Sequence, residues 1–306
     1  MIFLTCQSAP YFQSTAHFVI INYMKLYAIS DLHLGQKTNL YALTQLPHYP
    51  EDWLIVAGDV GESEDHFHVA FTLLTERFAK VLWTPGNHDL WTLPSEANSK
   101  NGTAARGDAK YRRLVEICRN YNVLTPEDPY VLWPASVQPL RLTPIFLLYD
   151  YSFRPDHVAE DEVLDWAAEE NTICADEALL HPDPYPTRQA WSAERYRYTE
   201  QRLMQLSRAE SLVLINHYPL RSDPLSRLKR IPRFTPWCGT KLTHNWHVRF
   251  NTEVVVYGHL HIRATDTIDN VRFEEVSLGY ANQWNQDVGM ASYLRQILPA
   301  PTRPNH

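Results

Sequence analysis

The sequence contains five places where an apolar run ends in side chains that can bind a metal ion or take part in a reaction. In one of them, the apolar residues 81–83 lead into Asn87, His88 and Asp89. Side chains of these types at the exit of a strand contribute little to packing, and they are typical of a ligand-binding or catalytic loop. The other four apolar runs end in Asp31 and His33, in Asp59, in His217, and in His259 and His261. The repeated pattern predicts that five strand ends supply one site.

The candidate metal ligands combine carboxylate, imidazole and amide groups. They are Asp31, His33, Asp59, Asn87, His217, His259 and His261. Two divalent ions need about this many nitrogen and oxygen donors, with positions left over for water and substrate. Because the set has imidazoles and no thiolate, it suits Mn, Fe or Zn, and also Co or Ni, better than an all-oxygen Mg or Ca site. A pair of such ions can generate hydroxide near neutral pH and hold a phosphoryl group.

The elements that must position these residues alternate between strands and helices. Apolar runs predict strands over 25–30, 53–58 and 80–84, and an apolar stripe at helical spacing predicts a helix over 64–78. This order is typical of a mostly parallel sheet covered by helices. Further strands are predicted over 140–143, 145–148, 211–216, 253–257, 262–268 and 271–278, with Asp269-Asn270 as the last hairpin turn, and further helices over 108–120, 159–170 and 190–207.

Five short motifs then resemble those of the calcineurin-like metallophosphoesterase superfamily. In chain order they are D-x-H, G-D, G-N-H-D, a single His at a strand end, and G-H-x-H, and they extend from Asp31 to His261. Each motif is weak alone, but five in the right order, each after an apolar run, form a specific signal. The resemblance implies a four-layer α/β/β/α sandwich of two mixed sheets, with the site at the strand ends between the sheets. It also implies an enzyme that hydrolyses phosphate mono- or diesters.

The resemblance further implies a role for each residue. The family pattern places one ion on Asp31, His33, Asp59 and His261, and the other on Asp59, Asn87, His217 and His259. Asp59 would bridge the two ions, and a metal-bridging hydroxide would attack the phosphorus atom. His88 would not be a ligand, but would contact the phosphoryl oxygen or protonate the leaving group.

An imidazole in the predicted role of His88 needs a carboxylate that fixes its tautomer. Glu62 follows Asp59 by three residues, at the place where the phosphoprotein phosphatase branch of the family carries such a carboxylate. Asp89 is adjacent to His88 in sequence, but neighbouring side chains after a strand often diverge. We therefore favour Glu62.

The sequence also departs from that branch of the family. The phosphoprotein phosphatases carry G-D-x-V-D-R-G, whereas residues 58–64 are G-D-V-G-E-S-E, without the phosphate-binding Arg. A protein Ser/Thr phosphatase of that branch is therefore not expected. Arg221, Lys241 and Arg263 are alternative sources of a phosphate-binding cation, and the sequence leaves the substrate-binding residues unassigned.

The composition of the chain limits which classes of substrate and which cellular locations are expected. The formal net charge of -7 disfavours a general nucleic-acid binder. No apolar run approaches the roughly 20 residues of a membrane span. The four cysteines are far apart and form no C-x-x-C pair, so we expect reduced thiols and a cytoplasmic location. We expect a phosphodiesterase or phosphatase that acts on a small molecule, with no obligate protein partner.

Two alternatives to a small-molecule enzyme stay open. A nuclease is supported only by a basic cluster within residues 218–250, which comprises Arg221, Arg227, Lys229, Arg230, Arg233 and Lys241. A non-catalytic, metal-bound binding module on the same fold is the other alternative. The complete ligand set and the presence of His88 argue against that module.

The chain is predicted to form one domain over residues 24–298. Residues 1–23 contain no Lys or Arg, and Met24 directly precedes the first strand, so we expect a non-native or disordered extension. The irregular residues 150–190 are expected to be a cap insertion over the catalytic face, with a solvated structural excursion as the alternative. Residues 92–107 are predicted to be a long exposed loop, and residues 299–306 a disordered tail.

Overall fold

Two mixed β-sheets form the centre of the protein, whose computed structural model describes residues 24–94 and 105–301. The first sheet has the strand order β10-β1-β2-β3 and the second the order β4-β5-β6-β7-β9-β8. In chain order the strands are β1 (Leu26–Ile29), β2 (Tyr49–Val56), β3 (Phe78–Trp83), β4 (Val131–Leu132), β5 (Leu140–Pro144), β6 (Ser211–Ile215), β7 (Thr252–Tyr257), β8 (Thr265–Ile268), β9 (Val271–Glu275) and β10 (Arg295–Leu298). Strands β1 to β3 are parallel to one another, as are β5, β6, β7 and β9, whereas β10, β4 and β8 are antiparallel edge strands.

Helices cover the outer faces of both sheets. The α-helices of the described residues are α1 (Lys37–Thr44), α2 (Glu64–Arg77), α3 (Asn87–Leu90), α4 (Gly107–Asn120), α5 (Val163–Ala168), α6 (Asp176–Leu179), α7 (Arg188–Met204) and α8 (Trp246–Arg249). Short 3-10 helices lie at Glu160–Glu162, Asp223–Arg227, Pro232–Trp237, Lys241–Thr243, Gln286–Val288 and Met290–Tyr293.

The alternation of apolar residues along β2 explains the four layers. Successive residues of a strand point to opposite faces of a sheet. Leu54 accordingly packs in one apolar cluster with Phe67 of α2, whereas Ile55 packs in another with Val213 and Val256 of the second sheet. A third cluster joins the outer face of the second sheet to α7 and α8. The predicted α/β/β/α sandwich of two mixed sheets is confirmed. Each fully buried phenylalanine in these clusters stabilises the folded state by about 1.5–3 kcal/mol.

Four strand predictions differ from the structure. The strand expected over 140–143 forms as β5, which continues to Pro144 and pairs that residue with Ile215, whereas residues 145–148 form no strand. Strands expected over 262–268 and 271–278 are the shorter β8 and β9. The chain after β9 leaves its ladder and instead pairs Ser277 with Ser30 of the first sheet. Asp269 and Asn270 do form the hairpin turn, with left-handed φ angles of 52° and 63°.

The 150–190 segment is an integral part of the domain. Val158, Val163, Ala167, Cys174 and Leu180 are all buried in the apolar cluster that also contains residues of α2 and β3. A segment packed in this way is fixed to the body of the protein, and it can therefore supply side chains to the site.

Some predictions fall outside the described residues. They concern the extension over 1–23, residues 95–104 of the polar loop, and residues 302–306 of the tail, so each of them stays a prediction. Within residues 24–94 and 105–301, no helix is long and apolar enough to cross a membrane.

Candidate metal centre

The ends of β1, β2, β3, β6 and β7 lie at one edge of the two sheets and bring the seven candidate ligands together. Because parallel strands of one sheet end at the same edge, residues that directly follow them become neighbours. Asp31, His33, Asp59, Asn87 and His217 are each at most 4% exposed. The five predicted strand ends thus meet in one buried polar cluster.

Asp31, His33 and His261 form the first group that could hold a metal ion. Nε2 of His261 lies 3.0 Å from Oδ1 of Asp31 and 3.2 Å from Nε2 of His33. The potential ligand atoms of the three side chains all lie within 4.8 Å of one another. A carboxylate oxygen and two imidazole nitrogens that face a common point are a suitable donor set for a divalent transition metal.

A second group is centred on Asp59. Its Oδ2 atom lies 3.5 Å from Nε2 of His217 and 4.0 Å from Nε2 of His33. The Asn87 Oδ1 atom lies 3.3 Å from the same nitrogen of His217. The Asp59 carboxylate therefore faces both groups.

His259 lies beside His217, with 5.1 Å between the ring centroids. Its buried Nε2 atom has no hydrogen-bond partner within the described part of the chain. An unpaired buried nitrogen costs free energy unless another group binds it. A metal ion at the second group would use this nitrogen.

Hydrogen bonds at the back of the cluster fix which atoms face inward. Nδ1 of His217 donates to the carbonyl oxygen of Ala57 at 2.9 Å, and Nδ1 of His261 donates to Oε1 of Gln283 at 2.7 Å. Both rings therefore keep Nε2 unprotonated toward the cluster when they are neutral.

The two carboxylates are oriented in the same way. Oδ2 of Asp31 accepts hydrogen bonds from the hydroxyls of Ser30 and Ser277 and from the backbone N–H of His259. Oδ1 of Asp59 accepts one from the backbone N–H of His88 at 2.9 Å. One oxygen of each carboxylate is thus held by the protein, and the other faces the cluster.

The electrostatics of the cluster fit a bound cation. Burial lowers the pKa of His33, His217 and His259, which favours the neutral imidazole that can ligate a metal. Burial, together with the charge of Asp31, raises the pKa of Asp59. A divalent ion between the two carboxylates would offset their repulsion. The residues present therefore fit two metal ions.

The backbone at the site is strained. Asp31, His33, Asp59, His259 and His261 have left-handed φ angles of 55°, 43°, 55°, 70° and 54°. Such a conformation costs of the order of 1 kcal/mol or more for a residue other than glycine, and it is concentrated at functional sites. A cluster that only stabilised the fold would not be expected to contain five such costly backbone conformations.

His88 lies at the edge of the cluster and contacts two further groups. Its Nδ1 atom lies 3.3 Å from Oε1 of Glu62, and its Nε2 atom lies 3.4 Å from the hydroxyl of Tyr280. Burial opposes ionisation of Glu62, but the hydrogen bond from His88, a backbone hydrogen bond and the charges of His88 and His66 together outweigh it and lower the pKa of Glu62. Glu62 is therefore an ionised acceptor for the His88 ring.

Asp89 faces away from that ring. Its carboxylate accepts hydrogen bonds from the backbone N–H groups of Asp59, Gly61 and Gly86 at 3.0, 3.2 and 2.9 Å. It ties the loop after β2 to the loop after β3, and so helps to hold Asp59 and Asn87 in place.

Sequence reasoning missed several residues around the cluster. Ser277, Tyr280 and Gln283 follow β9, so the rule that strand ends supply the site would have found them had β9 been ended at Glu275. Tyr280 stacks on His33, with 4.4 Å between the ring centroids. Asp176 comes from the irregular 150–190 segment, and no local pattern points to it.

The proposed phosphate-binding cations are engaged elsewhere. Arg221 forms an ion pair with Asp223, and Lys241 forms one with Asp156. The guanidinium of Arg263 donates to the backbone carbonyls of Val276, Ser277 and Tyr293. Within the basic cluster of residues 218–250, Arg227 and Arg233 also pair with carboxylates. Most of this cluster is therefore neutralised locally.

Comparison with known proteins adds independent information. The family model for calcineurin-like phosphoesterases matches residues 24–263, a span that includes all seven candidate ligands, His88 and Glu62. The [acyl-carrier-protein] phosphodiesterase PptH of Mycobacterium tuberculosis is 46% identical over 278 residues, which cover 90% of this chain and 84% of that protein. The crystal structure of phosphopantetheinyl hydrolase (PptH) from Mycobacterium tuberculosis has a TM-score of 0.85 at 45% identity, and covers 92% of this chain and 99% of that one.

Proposed function

The chain belongs to the calcineurin-like phosphoesterase family, and we propose that it hydrolyses the phosphodiester that joins a phosphopantetheinyl group to an acyl carrier protein. That it is a metallophosphoesterase, and hence a hydrolase, follows from the family match and from the clusters of metal-binding residues. The narrower proposal depends on one observation, the 46% identity to an acyl-carrier-protein phosphodiesterase over 90% of the chain. The substrate would then be a protein and not the small molecule expected from sequence alone.

We assign the seven candidate residues to two metal ions. Asp31, His33 and His261 would hold one ion, Asn87, His217 and His259 would hold the other, and Asp59 would be shared between them, since its Oδ2 atom lies near both His33 and His217. Manganese, iron or zinc suits this mixed nitrogen and oxygen donor set. When bound, such a pair would supply Lewis acidity and a hydroxide nucleophile near neutral pH.

The side chains of this chain would then complete the reaction. Attack of hydroxide at phosphorus would break the bond between phosphorus and the carrier-protein oxygen. That oxygen takes a proton from Nε2 of His88, while Glu62 accepts the hydrogen bond from Nδ1 and stabilises the charged ring at a distance of 3.3 Å. The products are free phosphopantetheine and a carrier protein with a restored hydroxyl group.

Replacement of Glu62 by Gln is expected to lower turnover by about 10- to 100-fold, because a neutral amide stabilises the protonated His88 ring less well. Both metal ions should stay bound, since Glu62 is not among the assigned ligands. Steady-state kinetics with metal analysis of the same sample would measure both effects. Glu64→Gln is a matched control, because Glu64 is close in sequence but pairs with Arg113.

The proposed substrate can be tested with phosphopantetheinylated acyl carrier protein in water enriched in ¹⁸O. We expect the mass of the carrier protein to fall by that of the phosphopantetheinyl group, and one ¹⁸O atom to appear in the phosphate group of the released phosphopantetheine. An unlabelled phosphate group would contradict attack at phosphorus. Hydrolysis of small diesters with an unchanged carrier protein would instead support the small-molecule enzyme.

A further inference from the structure

Asp176 is a fully buried carboxylate in contact with two residues of the site. It is the first residue of α6, and its relative exposure is 0%. Its Oδ1 atom accepts hydrogen bonds from Nδ2 of Asn87 at 2.9 Å and from Nε1 of Trp91 at 2.7 Å. Its Oδ2 atom is also buried, and accepts no hydrogen bond from any residue in 24–94 or 105–301. A buried carboxylate oxygen costs free energy unless a hydrogen-bond partner or another group binds it.

The contact with Asn87 determines which end of the amide faces the cluster. Oδ1 of Asp176 is an acceptor in both of its hydrogen bonds, so the side of Asn87 that faces it is the NH₂ group. The Oδ1 atom of Asn87 then points toward His217, whose Nε2 lies 3.3 Å away. The opposite orientation would present a hydrogen-bond donor to the cluster, and an NH₂ group cannot ligate a cation.

The same oxygen also holds a residue that packs on His88. The ring of Trp91 lies against that of His88, with 3.6 Å between the centroids. One carboxylate oxygen thus connects the proposed amide ligand with the aromatic ring behind the proposed proton donor.

The position of Asp176 does not depend on Asn87. Its backbone carbonyl oxygen accepts a hydrogen bond from the Arg188 guanidinium at 2.7 Å. Arg188 lies on α7 and also forms an ion pair with Glu177, whose carboxylate accepts hydrogen bonds from Tyr151 and Trp237. A supporting residue that is itself held by packing and hydrogen bonds can impose geometry on a site.

We propose that Asp176 is a positioning residue that orients Asn87 for the second metal ion, so that the 150–190 segment completes the metal centre. The proposal rests on the ligand assignment made above for Asn87, but not on the identity of the substrate. Outer-shell partners of metal ligands typically contribute about 10- to 100-fold to metal affinity.

The test compares metal binding by Asp176→Ala, Asp176→Asn and Glu177→Gln with that by the unchanged protein. Manganese is titrated into chelator-stripped protein in the absence of any substrate, and bound metal is counted per chain. For Asp176→Ala we expect a 10- to 100-fold weaker affinity for one ion only, and a smaller loss for the isosteric Asp176→Asn. Glu177→Gln is the control for a structural role. Glu177 lies next to Asp176 in α6, and its replacement removes the ion pair with Arg188 of α7, but Glu177 does not contact Asn87.

Activity supplies a second readout. Turnover lost in Asp176→Ala should recover as the Mn²⁺ concentration is raised, because a misoriented ligand weakens binding of the ion without removing it. Two tightly bound ions in Asp176→Ala, or the same loss of metal in Glu177→Gln, would overturn the proposal. If Asp176→Ala does not fold, Asp176→Asn alone decides, and unchanged affinity in that variant would also overturn it. A failure of the ligand assignment would be visible earlier, as fewer than two ions in the unchanged protein.

Discussion

Replacement of Asp59 by Asn is expected to remove both metal ions and to abolish turnover. The Oδ2 atom of Asp59 is the oxygen that faces both His33 and His217, at 4.0 and 3.5 Å. An amide at this position lacks the charge that offsets two divalent ions, and it offers only one acceptor oxygen. Metal catalysis supplies several kcal/mol of transition-state stabilisation, so the expected loss is at least about three orders of magnitude.

The size and shape of the side chain are conserved in this variant, so the effect should be on metal binding and not on folding. Metal analysis, turnover and thermal unfolding of the same sample would separate the two. Asp52→Asn is a suitable control, because Asp52 lies on β2, the strand before Asp59, and its carboxylate accepts a hydrogen bond from the backbone of Lys25, away from the metal centre. An Asp59→Asn protein with two bound ions and substantial activity would refute the bridging assignment.

Replacement of His88 by Ala is expected to leave both metal ions bound and to lower turnover by about 10²- to 10⁴-fold, the usual contribution of a general acid or a charge-stabilising group. The His88 side chain lies within hydrogen-bonding distance of Glu62 and Tyr280, and it is not one of the assigned ligands, although its ring lies beside that of His33. The expected effect depends on the leaving group. It should be largest for a carrier-protein hydroxyl, which needs a proton, and smaller for p-nitrophenolate, which does not.

Kinetics on both substrates, with metal counted per chain, would test this role. His68→Ala is a control for loss of an imidazole, because His68 lies on α2 and its ring contacts the hydroxyl of Tyr121 and not the cluster. A different outcome is also informative, since His33, Glu62 and His88 lie close enough to form a metal-binding group of their own. Loss of one ion in His88→Ala would therefore make His88 a ligand.

The strand-end residues were predictable because their signal is local. Asp31, Asp59 and His217 each follow an apolar run directly, and the topology of parallel strands brings such positions to one edge. The same rule would have reached Tyr280, but the strand before it was predicted to be too long, and this placed residues 276–278 inside a ladder that ends at Glu275.

Other features depend on contacts between distant segments, and no local pattern reports them. Asp176 meets Asn87 across 89 positions of sequence. The ion pairs of the 218–250 segment also join distant parts of the sequence, because Arg227 pairs with Asp266 and Arg233 pairs with Glu169. A charge count along the sequence therefore overstated how many of these cations are available to an anionic substrate.

The central claim is that this chain is a phosphoesterase that needs two metal ions. Its most direct test is a titration of chelator-stripped protein with Mn²⁺, in which bound metal and hydrolysis of bis-p-nitrophenyl phosphate are measured on the same samples. We expect negligible turnover without metal, and a rise to the full rate only as the second ion per chain binds. Full turnover of the metal-free protein, or a full rate with a single ion per chain, would contradict the account.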